Sequence, residues 1–131
     1  MAVLDTNVVI RLLVGDDPQQ TRAAESLVAA EPCTVSMSVL MECEWVLRAC
    51  YALRLPDIEA SLREFLNLEN ISPADSVLAQ RVLDAYATGL DFADALHAAQ
   101  CPDSERFMTF DKVLVRSAGK AGLRGVTLLK H

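Results

Sequence analysis

The sequence predicts an α/β fold, a parallel sheet covered by helices on both faces, and two observations carry the prediction. Five short apolar runs, at residues 2–4, 33–36, 68–71, 107–109 and 126–129, lack strict polar alternation, as buried parallel strands do. Stretches of helical period separate them, which implies βαβ crossovers. In open sheets of this kind chemistry gathers at the carboxyl ends of the strands, so functional side chains are expected there.

Taken in order, the run at 2–4 passes directly into Asp5, in VLDTN. Asp17-Pro18-Gln19-Gln20 reads as an N-cap followed by proline at the first helical position. After the second run, TVSMSVLMECEWVL places Glu42 early in a helix. Ile58, Leu62, Phe65 and Leu66 recur at i, i+4, i+7 and i+8, as do Leu78, Val82, Ala85 and Tyr86, so both sets mark amphipathic helices. In LDFADALHAA a helix begins near Asp91 and carries Asp94 about one turn in, and the fourth run leads straight into Asp111, in FMTFDK. No repeat, low-complexity segment or Gly/Pro/Ser-rich linker divides the chain, so residues 1–131 are expected to form a single domain.

Composition bounds the rest. The chain has 131 residues, 52% of them hydrophobic, with 12 Lys+Arg against 18 Asp+Glu, the profile of an acidic soluble domain large enough to fold without disulfides or a structural metal. The longest stretch free of charged residues is ten residues, 32–41, against ~20 for a membrane-spanning helix. The opening MAVLDTN lacks the basic start and apolar segment of a leader, so the expected compartment is the cytoplasm, with no membrane partner. Cys33, Cys43, Cys50 and Cys101 contain no C-x-x-C pair, and with two histidines there is no zinc-finger ligand set. All four are expected to be reduced and mostly buried. The net charge of −6 hides an asymmetry, since residues 112–131 carry five basic side chains and no acidic one. Such a strip can hold phosphates locally, although a solvated terminal helix is its ordinary explanation.

Asp5, Glu42, Asp94 and Asp111 all fall at or beside the expected carboxyl edge, so four carboxylates from separate parts of the chain are expected to converge. Taken singly, each has an ordinary explanation, because Asp after a strand is a common cap and Asp in a first helical turn complements the dipole. Glu44 has Arg48 four residues on and reads as an exposed pair, whereas Glu42 is flanked at helical spacing by Ser38, Val39, Trp45 and Val46 and has no local cation. Acids gathered without partners repel one another and raise their pKa values. A hard divalent cation, Mg²⁺ or Mn²⁺, is one compensation, and Lys112 or Arg116 the other.

With those residues in place, the chain resembles the PIN-domain nucleases, and within them the VapC-like toxins of bacterial toxin–antitoxin pairs. The resemblance spans essentially the whole chain through the ordered set VLDTNVVIRLL, VLMECEWVL, GLDFADALHAA and TFDKVLVR. It implies a three-layer α/β/α sandwich with a central parallel sheet of about five strands. It further implies a metal-dependent endoribonuclease whose ligands are Asp5, Glu42, Asp94 and Asp111, an RNA substrate, a cognate antitoxin and a homodimer. Thr6, Asn7, Ser38 and Thr109 would support the site, and Arg11, Lys112 and Arg116 would steer the RNA backbone or simply neutralise nearby acids. His97, three residues after Asp94, is given no catalytic role. Trp45 and Tyr51 read as core or partner-interface residues, and so few aromatics give no basis for base stacking.

Other readings are weaker. A non-catalytic module binding a basic partner segment in its acidic pocket would not need all four acids. A haloacid-dehalogenase-type phosphatase would want an aspartate two residues after the first, where Asn7 stands, and a receiver domain would want paired acids before its nucleophilic strand.

Overall fold

Five strands form, and every strand pairing is parallel. The computed structural model describes residues 1–131, which cluster into two units, Met1–Ser76 and Val77–His131. The first unit runs β1 (Ala2–Val3), α1 (Thr6–Val14), α2 (Pro18–Ala30), β2 (Cys33–Val35), α3 (Met37–Ala49), α4 (Leu55–Leu66) and β3 (Ile71–Pro73). The second contains nearly all of α5 (Ser76–Ala87), then α6 (Phe92–Gln100), β4 (Phe107–Thr109), α7 (Lys112–Lys120) and β5 (Val126–Leu128).

In the first unit β2 lies between β1 and β3, with Ala2 opposite Cys33 and Cys33 opposite Ile71. Parallel neighbours cannot be joined by a tight turn. Accordingly α1 and α2 carry the chain from β1 to β2, and α3 and α4 carry it from β2 to β3. Cys33 and Val35 are fully buried, and Val9, Ile10, Leu40, Leu47, Ile58, Leu62 and Phe65 supply the helical side of this core. In the second unit β4 and β5 pair through the α7 crossover, Phe107 opposite Val126. Its core is built on Val82, Leu83, Tyr86, Phe92 and Leu96, with Tyr86 and Phe92 meeting edge to face at 5.3 Å.

The helix signals act as their chemistry requires. Asp17 accepts from Gln20 N at 3.1 Å, with Pro18 in the first turn of α2, and Asp91 accepts from Asp94 N at 3.2 Å. α1 stops at Gly15, whose φ of 70° turns the chain left-handed while its N–H bonds the Arg11 carbonyl at 3.0 Å.

Four expectations are corrected. The strands form a three-stranded and a two-stranded sheet in place of one clear five-stranded sheet, because apolar runs report burial and not which strand lies alongside. The strand expected at 68–71 is Ile71–Pro73. Leu68 is 48% exposed, and residues 68–71 form a turn closed by Ile71 N to the Leu68 carbonyl at 3.0 Å. Pro73 is tolerated because β3 is an edge strand in its sheet. Of the cysteines, all free, Cys33 and Cys43 are buried while Cys50 is exposed. The Glu44–Arg48 pair is not an exposed one: Glu44 is 4% exposed, and Arg48 grips both its oxygens at 2.9 and 3.3 Å. Glu44 falls on the stripe Met37, Leu40, Leu47 that faces the core, and the long Arg48 stem lets its cation stay half-exposed. No helix is long and apolar enough to cross a membrane.

Gly15 is the sharpest test of this geometry. An added Cβ would meet nothing closer than 3.9 Å, so Gly15→Ala should cost only the left-handed backbone penalty, about 1 kcal/mol. Urea unfolding should show that loss at unchanged m, and an unaltered midpoint would contradict the φ of 70°.

Candidate functional site

Three of the four acids stand at helix starts. Asp5 follows β1 and caps α1, its Oδ1 accepting from Thr6 N at 2.8 Å. Asp111 follows β4 and caps α7, accepting from Val113 N at 2.9 Å and Leu114 N at 3.1 Å. Asp94 lies in the first turn of α6. In each place the peptide dipoles favour a negative side chain, by about 0.3–1 kcal/mol. Glu42 differs, since it projects from the second turn of α3 and is exposed.

Within the first unit Thr6 ties two acids together. Its side chain, in a residue only 8% exposed, donates a hydrogen bond to Glu42 Oε1, and its backbone N–H is the one that Asp5 accepts. Asp5, Thr6, Asn7 and Glu42 consequently line one cavity of about 610 Å³, together with Ile10, Arg11, Val46, Cys50 and Tyr51. Both acids act on the neighbouring Cys43 thiol: burial chiefly, then Glu42 and Asp5, push it up to about 12. That cysteine stays an inert thiol at neutral pH.

Within the second unit the Asp94 carboxyl is raised above the ordinary aspartate value, first by burial and then by the charges of Asp91 and Asp111, while His97 pulls the other way. Thr109 helps to place Asp111, its hydroxyl accepting the Asp111 N–H at 3.0 Å. His97 is exposed. Lys112, Arg116 and Lys120 recur every four residues along one exposed face of α7, so much of the basic terminal segment is a helix face.

The remaining candidates separate. Ser38 is exposed and shares a 3.0 Å hydrogen bond with Ser36, whose hydroxyl caps α3. Ser38 therefore supports a helix start. Arg11 lies in the cavity with Asp5 and Glu42 but pairs with Asp16 at 3.1 Å. Neither Lys112 nor Arg116 forms an ion pair, and none of the four acids has one. Trp45 is 54% exposed and is not a core residue. Sequence reasoning misses Cys50 and Tyr51 as cavity residues, although Glu42 and Val46 on α3 and Cys50 at its C-cap are spaced i, i+4, i+8.

These carboxylates fit a hard cation by their chemistry. No group of three or more His, Cys, Asp or Glu is assembled into a metal cluster, and each unit supplies two of the four acids. Mg²⁺ characteristically binds through one or two carboxylates and keeps several waters. Asp5 and Glu42 each engage one carboxylate oxygen in the hydrogen bonds to Thr6.

A family model described as PIN domain matches residues 2–120, and so covers all four acids. No curated protein and no solved structure matches. PIN domains are generally nucleases that act on RNA and typically bind divalent metal ions.

The raised Asp94 pKa fixes the sign of a pH effect. The folded state binds the proton more tightly than the unfolded chain, so stability falls as pH rises from the ordinary value of 3.8 through the raised one. In EDTA, Asp94→Asn should exceed the wild type in stability at pH 7, and urea titrations should show the advantage shrinking toward pH 4. An advantage independent of pH would contradict the assignment.

Proposed function

Because the chain belongs to the PIN domain family, we propose that it is a metal-dependent endoribonuclease, a VapC-like toxin that hydrolyses RNA phosphodiester bonds and is inhibited by a cognate antitoxin. The observation that carries the reading is the pair Asp5 and Glu42, joined through Thr6 in one cavity with no cation paired to either. Residues 1–131 would form the single nuclease domain that the resemblance implies.

Asp5, Glu42, Asp94 and Asp111 would hold Mg²⁺ or Mn²⁺. The bound cation supplies charge neutralisation at the phosphate and a lowered pKa for attacking water. Thr6 fixes the orientation of the Asp5 and Glu42 carboxylates so that their remaining oxygens stay available. Asp111 and Asp94 stand at helix starts, where the dipole favours a negative side chain. Lys112 and Arg116, without acid partners, suit phosphate contacts along the RNA. Cleavage would leave 5′-phosphate and 3′-hydroxyl ends, and the active form would be a cytoplasmic homodimer.

Purified protein incubated with total cellular RNA should give discrete cuts in Mg²⁺ or Mn²⁺ and none in EDTA. Asp5→Asn should lower the rate at least about 10²-fold while leaving the circular dichroism spectrum unchanged. Cutting that persists in EDTA, or an Asp5→Asn variant as active as the wild type, would refute the metal-site assignment. Absence of cutting by metal-loaded protein would favour a module that binds a basic partner segment.

A further inference from the structure

The cavity that holds Asp5 and Glu42 continues past them. Along α3 it is lined at Glu42, Val46 and Cys50 and ends at Tyr51, a reach of about 12 Å at 1.5 Å per residue. It is an open groove, and its volume of about 610 Å³ lies in the range of small-ligand sites.

The far end carries a cation and a ring joined through one carboxylate. Tyr51 OH donates to Asp16 Oδ2 at 2.6 Å. The other Asp16 oxygen receives Arg11 Nη1 at 3.1 Å, and Arg11 Nε donates to Gln20 Oε1 at 2.7 Å. Tyr51 and then Arg11 hold the Asp16 carboxyl below its usual range, and the same bond holds the Tyr51 phenol above its own, so this bridge persists at neutral pH. Arginine carries five N–H donors, more than these two bonds use, and Arg11 lines the cavity. The phenol hydroxyl is held at Asp16, which keeps the ring at this end of the cavity.

We infer that Tyr51 and Arg11 form a nucleotide subsite beside the proposed metal ligands, Tyr51 stacking on a base that flanks the cleaved phosphodiester and Arg11 meeting its phosphate. The inference rests on the ribonuclease reading and specifies how that site holds its strand. A π-face accepts every base, so the stacking is sequence-tolerant, and selectivity then falls to base edges and strand shape.

Fluorescence anisotropy in EDTA, where cleavage is blocked, tests the subsite with two labelled probes, an oligouridine RNA octamer and an octamer of the same backbone without bases. The wild type should bind the RNA octamer tighter than the base-free one. Tyr51→Leu, which keeps apolar bulk, should weaken the RNA octamer about tenfold and leave the base-free one unchanged. Tyr51→Phe should retain the preference, and Arg11→Ala should weaken both probes. A wild type without preference, or a Tyr51→Leu variant that keeps it, overturns the inference. Failure of the ribonuclease reading itself would show separately, as absence of metal-dependent cleavage of total RNA by the wild type.

Discussion

The buried Thr6 side chain donates to Glu42 across 36 positions of sequence, and its backbone N–H is held by Asp5. One residue thereby sets two carboxylates in a shared cavity and joins the start of α1 to the second turn of α3. Without that hydroxyl, nothing polar would hold exposed Glu42 beside Asp5, and the pair would be two unrelated surface acids. Loss of a hydrogen bond to a charged group is worth about 1.5–3 kcal/mol, enough to release a side chain that has no ion pair.

Holding acids without cations has a physical cost, and the fold offsets part of it. Asp5 and Asp111 are capping residues and Asp94 sits in a first helical turn, so each lies by helix-start N–H groups and the positive end of a helix dipole. At Asp94 burial and the charges of Asp91 and Asp111 prevail, and its carboxyl is raised. A bound divalent cation would reverse that balance, because it favours the ionised form of every carboxylate near it. Three acids elsewhere do have an arginine: Arg48 pairs with Glu44, Arg63 with Glu59 and Arg11 with Asp16.

Much of this was legible because it depends on neighbours in sequence. Asp17 before Pro18, Asp91 three residues before Asp94, and Asp111 directly after an apolar run are local patterns, and the structure realises each of them. The strand at 107–109 follows its apolar run residue for residue. Leu68 misled because an apolar side chain can close an exposed turn as well as start a strand. Glu44 misled because the stripe Met37, Leu40, Leu47 runs through it, and a rule about pairs at i, i+4 says nothing about which face is buried. Tyr51 was not legible at all. Its place depends on a chain reversal through Ala52 at φ 54°, closed by Leu53 N on the Leu47 carbonyl at 3.0 Å, and on Asp16, 35 positions away.

Whether the four acids hold a divalent cation is read by Mn²⁺ titration calorimetry of the metal-free protein. Wild type, Asp5→Asn and Asp94→Asn would be compared at pH 7. The wild type should bind saturably, and each variant alone should bind at least about tenfold more weakly, if the metal site is as proposed. Unchanged affinity in either variant, or no binding by the wild type, would contradict it.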